Sequence, residues 1–336
     1  MNALALSKPA GLDQIRAVDL GRPRDPGPGE IVVRLQASSL NYHDLAVALG
    51  YLPTAQGRIP LSDGAGRVEA VGPGVADLAV GDLVVSLFFP DWRDGRPPVA
   101  DFSRTPGDGL DGYARSHVTA PASFFTQAPK GFDALQAASL TTAGLTAWRA
   151  LVEGGVKPGD RVLVLGTGGV SVFALQFARM MGAQVAATSG SDDKLARIGA
   201  LGADHRVNYR RQPDWSASIL DWTDGVGVDH VIEVGGPATL GQSIAATRLG
   251  GHIALIGVLT GFSGEIPNAA LMARQIRLQG VTVGSARHQK EMIKAIDANG
   301  LAPVIDQVFP VAELGQALGL IQAGGHFGKV GVDLTF

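Results

Sequence analysis

The chain has 336 residues, too many for one ordinary hydrophobic core, so two domains are expected. Charged residues make up 18% with a formal net charge of −3, which excludes the strong field that nucleic acid or an anionic membrane surface would call for. The absence of cysteine excludes disulfides, thiolate nucleophiles and Cys-ligated zinc.

No basic leader precedes an apolar stretch at the start, and no apolar run reaches the ~18 residues of a membrane span, so a cytoplasmic protein is expected. Up to about residue 130, short β-branched runs, "EIVVRLQAS", "AGRVEAVGPGV", "DLVVSLF" and "YARSHVTAP", are cut by turn signals such as "VGPGV" and "VGD". That spacing indicates a small all-β unit. The Pro-, Gly- and Asp-containing segment 91–111 reads as a surface lobe or a loop over a cleft. Within the first run's exit, "SSLNYHDL" sets Asn41, Tyr42, His43 and Asp44 side by side, a grouping compatible with a catalytic cluster, a lost metal site or a hydrogen-bonded turn.

From about residue 144 the rhythm changes. Strand-like runs "RVLVLG", "QVAATS", "HVIEVG" and "HIALIGVL" alternate with helical patterns including "GVSVFALQFARMMG" and "SDDKLARIGALG". Strict alternation argues for a parallel sheet with helices on both faces. In "RVLVLGTGGVSVFALQFARMMGAQVAATS" a buried strand runs through Gly166, Thr167, Gly168, Gly169 and Val170 into a helix, the arrangement that sets a pyrophosphate on free N–H groups. Ser171 stands where the fingerprint has its third glycine. At the tip of the second strand Ser189 is followed by "GSDDK", with no carboxylate at the position that takes a ribose 2′-hydroxyl. Ser189, Lys194 and Tyr209 are candidates to receive a 2′-phosphate, with Asp192 and Asp193 capping the next helix, so NADP(H) is favoured over NAD(H). From about residue 285 a helix, a strand "VIDQVF", a helix and a last strand "KVGVDL" form a piece too small to stand alone, expected to pack back onto the N-terminal unit.

Together the β-rich start, "GTGGVS" and the tail "GHFGKVGV" resemble the medium-chain dehydrogenase/reductase superfamily over essentially the whole chain. "SSLNYHDL", "IPLSDGAGRVEAVGPGV", "LTTAGLTAW", "GADHRVNYR" and "VIEVGGPATL" look like its zinc-free alcohol dehydrogenase and quinone oxidoreductase branch. The resemblance implies an α/β protein: a GroES-like catalytic domain from residues 1–143 and 285–336, a doubly wound parallel-sheet Rossmann domain at 144–284, and a cleft between them for nicotinamide and substrate. Zinc-dependent members hold their metal by a Cys, a His-Glu pair and a Cys or His. Asn41, Ser62 with Asp63, and Thr142 stand at the matching positions here, so no zinc is expected.

By the same matching, His43 falls where relatives begin a proton relay, and an imidazole there suits general acid–base work. Asn41 is a candidate to orient substrate or carboxamide or to stabilise the turn, Tyr42 to wall the cleft, and Asp44 to hydrogen-bond backbone or fix the His43 tautomer. Thr142 and Thr146 are expected at the nicotinamide, Gly235, Gly257, Val258 and Gly284 at the ligand side of the sheet, and Lys329 at a cofactor phosphate. Phe88 and Trp92 are candidate walls of an apolar substrate pocket, with Asp63 beside them. The implied activity is hydride transfer between NADP(H) and an alcohol or carbonyl compound. Reduction of a quinone or enone is the alternative, and a non-catalytic NADPH-binding role the third reading. A small-molecule substrate is expected, as is a homodimer or homotetramer paired through the edge strand "RLQGVTVG".

Overall fold

Alternation in "EIVVRLQASS" builds the longest strand, with Ile31, Val33 and Leu35 turned into the core and Arg34 outward. The structure is a computed structural model that describes residues 2–98 and 101–336; residues 99 and 100 of the 91–111 segment lie outside the described residues. In chain order the first part carries β1 (Asn2–Leu6), β2 (Ile15–Asp19), β3 (Glu30–Ser39), α1 (Tyr42–Ala48), β4 (Ala65–Val71), β5 (Leu83–Ser86), β6 (His117–Pro121), β7 (Phe125–Gln127) and α2 (Ala134–Ala138). Next come α3 (Leu145–Gly154), β8 (Arg161–Leu165), α4 (Gly169–Met180), β9 (Gln184–Ser189), α5 (Asp192–Ala200), β10 (His205–Asn208), α6 (Trp215–Trp222), β11 (Val228–Glu233), α7 (Pro237–Ala246), β12 (Thr247–Leu255), α8 (Asn268–Ala273) and β13 (Arg277–Gly280). The chain ends with α9 (Ala286–Asn299), β14 (Ile305–Pro310), α10 (Leu314–Gln322) and β15 (Lys329–Asp333).

Two units follow from this order: residues 1–145 with 283–336, and residues 146–282. In the first, a seven-stranded sheet runs β14-β15-β3-β4-β5-β7 with β6 also paired to β3. The C-terminal strands are built into it, β15 lying antiparallel to β3 with Val332 opposite Ser38. Its core gathers Ile31, Val33, Leu45, Val68, Leu318 and Val330.

The second unit is a six-stranded sheet in the order β10-β9-β8-β11-β12-β13, parallel throughout. That is the doubly wound order 3-2-1-4-5-6, whose direction reverses between β8 and β11 and so opens a crevice at their C-terminal ends. Leu163, Val231 and Ile253 from the strands pack with Leu240 and Ile244 of α7. The edge strand is shorter than "RLQGVTVG" suggests, ending at Gly280. No helix among the described residues is long and apolar enough to cross a membrane.

Candidate active site

The polar cluster of the first unit is the start of a helix. Asn41 is the extended N-cap of α1 (φ −130°, ψ 160°), and Asp44 three residues on accepts its backbone N–H at 2.9 Å, a capping box that satisfies a donor the helix cannot. The remaining valences close a buried network. Asn41 Nδ2 donates to Asp44 Oδ2 at 3.1 Å, and Asp44 Oδ1 accepts from the Ser62 N–H at 2.9 Å and the Ser62 hydroxyl at 3.0 Å. Lys329, at the start of β15 and 2% exposed, donates to Leu40 O at 2.8 Å and Asn41 Oδ1 at 2.7 Å, with Asp63 Oδ2 at 3.4 Å. Asp63 also takes the Thr142 hydroxyl on Oδ1 at 2.6 Å and the Ser39 hydroxyl on Oδ2 at 2.5 Å.

This geometry corrects several expectations. Lys329 is buried among acceptors of its own unit, so it is not a surface cation for a cofactor phosphate. Asn41 and Asp44 are committed to the helix cap and the network, which leaves neither as a catalytic group and Asp44 unable to set the His43 tautomer. Thr142 donates its hydroxyl to Asp63, which is fully buried and so walls no open pocket. Burial pushes both Asp44 and Asp63 above the usual carboxylate range and Lys329 below the usual amine range, and the ammonium opposes the shift of both acids.

His43 faces elsewhere. Its side chain is 12% exposed and lies edge-on to Phe88 and Phe102, with centroids 5.2 and 4.7 Å away. Nε2 is buried without a hydrogen-bond partner and stands 3.5 Å from Asp108 Oδ2. Burial lowers the His43 pKa below 6.5, opposed by the charges of Asp108 and Asp63. Asp108 is the residue that sequence reading missed: it sits inside the 91–111 lobe, where nothing local marks one Asp over another. Tyr42, the first residue of α1, is 37% exposed. Phe88, expected to wall a substrate pocket, is buried and packs edge-on to His43. Trp92 is a correction, since it is buried, donates Nε1–H to Gly95 O at 2.9 Å and packs edge-on to His288.

Whether these residues suit zinc is a matter of donor chemistry. Asn41, Ser62, Asp63 and Thr142 offer no thiolate and no imidazole, and their oxygens are engaged as described. Lys329 Nζ already lies between Asn41 and Asp63, and as an ammonium it repels a dication there. The residues do not fit the metal.

In the second unit, β8 ends at Leu165 and Gly166 turns the chain with φ +72°, a conformation that favours glycine. Gly168 is the N-cap of α4 and carries no side-chain cap, so the first N–H groups of a 12-residue helix face outward over Gly169 and Val170. Ser171 is buried and donates its hydroxyl to Leu165 O at 2.6 Å, binding helix to strand where the fingerprint has glycine. Thr167 lies buried in the same turn, and Thr146 is buried on α3. These residues fit a dinucleotide pyrophosphate. At the β9 tip Ser191, and not Asp192 or Asp193, caps α5. Asp192 is drawn instead to Asn208 and Arg211. Ser189 is buried, Lys194 half-buried and Tyr209 exposed. Tyr209 Oη and Arg210 Nε close over Gly190, so near that a Cβ there would lie 2.8 and 2.9 Å from them. Arg210 is a second residue missed by sequence reading.

Gly235 follows β11, yet its N–H goes to Glu233 Oε1 at 2.7 Å, which also accepts from Gly236 N at 3.0 Å and the Thr239 hydroxyl at 2.7 Å. Ser243 donates to the other oxygen of this buried carboxylate. Gly235 is therefore a corrected assignment: it shapes the turn and does not offer its N–H to a cofactor. Gly257 presses on the Val234 carbonyl, where a Cβ would come within 1.9 Å, and Val258 follows it half-buried beyond β12. Gly284 belongs to the first unit, where a Cβ would meet Leu145 and His288.

Comparison with known proteins bears on both units. Residues 27–130 match the alcohol dehydrogenase GroES-like domain and residues 169–299 the zinc-binding dehydrogenase family. A zinc-type alcohol dehydrogenase-like protein of Schizosaccharomyces pombe is 41% identical over 331 residues, covering 96% of this chain and 95% of its own. An NAD-dependent alcohol dehydrogenase of known structure superposes with a TM-score of 0.89 at 34% identity over 99% of both chains. A crotonyl-CoA carboxylase/reductase solved with NADP gives a TM-score of 0.87 at 26% identity, covering 99% of this chain and 94% of that one.

Proposed function

The chain belongs to the medium-chain dehydrogenase/reductase superfamily, and on that premise we propose that it is an NADP(H)-dependent oxidoreductase that interconverts an alcohol and a carbonyl compound without zinc. The observation that carries the reading is His43, a buried imidazole whose Nε2 has no hydrogen-bond partner and faces the Asp108 carboxylate. Bound NADP(H) supplies or accepts the hydride. As a carbonyl is reduced, its oxygen gains negative charge and needs a proton; as an alcohol is oxidised, the hydroxyl proton must leave. His43 releases or takes that proton, and Asp108 favours the imidazolium by its charge. The metal's electrostatic place is filled by the Lys329 ammonium, which holds Asn41 and Asp63 and so fixes the start of α1 from which His43 projects.

The preference for NADP(H) is supported by the β9 tip, where Ser189, Tyr209 and Arg210 meet and the nearby Asp192 is drawn to Arg211. The phosphates are assigned to the turn Gly166–Val170. Among structural relatives one is described as NAD-dependent and another is bound to NADP, so the cofactor must be decided on this chain's own residues. Reduction of a conjugated carbonyl is a second reading, favoured by the likeness to a reductase named for a crotonyl substrate and by the aromatic surround of His43. Assembly as a homodimer or homotetramer is proposed through the outer edge of β13, tested by the mass in solution.

The test is oxidation of NADPH, beside NADH, against aldehydes, ketones, enones and quinones after chelation of metals, for wild type and His43→Ala. Activity that survives chelation and falls about 10²- to 10⁴-fold on carbonyls in the variant supports the proposal. Loss of activity on chelation overturns the zinc-free part. A silent His43→Ala with rapid turnover of enones or quinones transfers the assignment to the second reading.

A further inference from the structure

At the N-terminal edge of the parallel sheet, the opposite end from the glycine turn, β11, β12 and β13 place His230, His252 and Arg277 in register. Residues in register across a parallel sheet project from one face, so two imidazoles and a guanidinium stand in a row. A cavity of about 270 Å³ opens over them, lined also by Lys157, Asp160 and Arg248. Gly154, the last residue of α3, closes over the rings; a Cβ there would lie 2.9 Å from His252 Nδ1 and 3.1 Å from His230 Nδ1.

The histidines are buried, 6% and 4% exposed, both line the cavity, and each keeps one ring nitrogen without a hydrogen-bond partner: Nδ1 of His230 and Nε2 of His252. Such orphaned buried atoms are uncommon in a folded chain and call for a partner. His230 Nε2 lies 3.1 Å from Asp160 Oδ2, so that nitrogen carries the proton and Nδ1 is left as an acceptor. Both lining carboxylates are occupied. Asp160 accepts the Lys157 N–H and the His230 ring, and Asp229 accepts the Arg161 N–H and Arg248. Arg277 donates to the carbonyls of Glu153 and Gly154, holding the end of α3. The lining therefore combines three cations with a ring acceptor, and it matches a ligand that is anionic and carries its own O–H.

We propose that this cavity is a second binding site, for a small oxyanion bearing a hydroxyl proton, of the hydrogen phosphate or phosphate-monoester class. The anion lies against Lys157, Arg248 and Arg277, and its O–H donates to His230 Nδ1. Sulfate, unprotonated near neutral pH, meets the cations and leaves that acceptor orphaned.

The experiment titrates inorganic phosphate into the full chain, with its cofactor present to fill the dinucleotide site, and follows the imidazole C2–H resonances assigned by His230→Gln and His252→Gln. Saturable shifts of both resonances are expected, with binding weakened at least tenfold in Arg277→Gln and several-fold when sulfate replaces phosphate. Because Arg277 also supports α3, Lys157→Gln is the companion variant: this exposed residue engages no partner through its side chain among the described residues, and its loss is expected to weaken binding about threefold or more. Shifts that are confined to other histidines, that chloride reproduces at equal ionic strength, or that neither variant alters overturn the proposal.

Discussion

Replacing Lys329 by Met leaves Asp44 and Asp63 in a buried region without the cation that faces both. Removing one partner of a buried pair costs about 3 to 5 kcal/mol because the surviving charge is uncompensated. Urea unfolding of Lys329→Met is expected to show a loss of that size, and Asp63→Asn added to it recovers part of the loss by removing one of the stranded charges. A Lys329→Met protein within about 1 kcal/mol of wild type would mean that the ammonium is not what holds the network. His43 gives a kinetic expectation. Its pKa lies below 6.5, so alcohol oxidation, which needs the neutral imidazole, rises with pH through that pKa and levels off by neutrality. Asp108 favours the imidazolium, so Asp108→Asn shifts the rising limb of kcat/KM to lower pH. An unmoved limb denies Asp108 its role beside His43.

The elements carry this chemistry through how they start and stop. Helix α1 is only seven residues long, and its cap turns Asn41 and Asp44 inward, leaves Tyr42 exposed and sends His43 toward Phe88 and Phe102. The four polar residues were visible in "NYHDL", but their partition was not: it depends on Lys329, Ser62 and Asp108, far along the chain, and periodicity within one short segment carries no information about them. The glycine turn before α4 was legible because strand, glycines and helix lie in one continuous unit, and a hydroxyl at Ser171 could replace the last glycine by binding Leu165 O. At the next strand tip the expectation named Lys194 and Tyr209 and overlooked Arg210, since a turn of adjacent arginines does not say which one folds back over Gly190. A charge-assisted contact to phosphate contributes about 1.5 to 3 kcal/mol, so Arg210→Gln is expected to weaken NADPH about 10- to 100-fold in equilibrium titration and leave NADH within about twofold. Wild-type protein that binds NADH more tightly than NADPH would reject the 2′-phosphate site altogether.

At the scale of the whole molecule, the change from strand-only to strand-helix rhythm announced two units, and the return of β15 to β3 explains why a C-terminal piece too short to fold alone is stable. What periodicity could not show was polar residues on buried faces: His230 and His252 occupy interior positions of strands whose apolar neighbours alone set the pattern. Their burial has a consequence for the stability of the entire chain. His252 is pushed down to about 4 by burial first, then by the charges of Arg277 and His230, from an ordinary value of 6.5. Between those two values the unfolded chain binds a proton that the folded chain refuses, so stability rises with pH across the window and is lost as pH falls from 6.5 toward 4. At about 1.4 kcal/mol per pH unit, that one ring contributes a loss of about 3 kcal/mol. His43 and His230, also lowered, act with the same sign, whereas Asp44 and Asp63, raised by burial, act with the opposite one. Comparing urea unfolding of wild type and His252→Gln in phosphate-free buffer isolates the single ring: the difference between the two proteins is expected to change by about 3 kcal/mol from pH 6.5 to pH 4, with the variant's dependence the flatter. Parallel curves would show that the ring is protonated in the folded protein over this range, with water reaching Nε2.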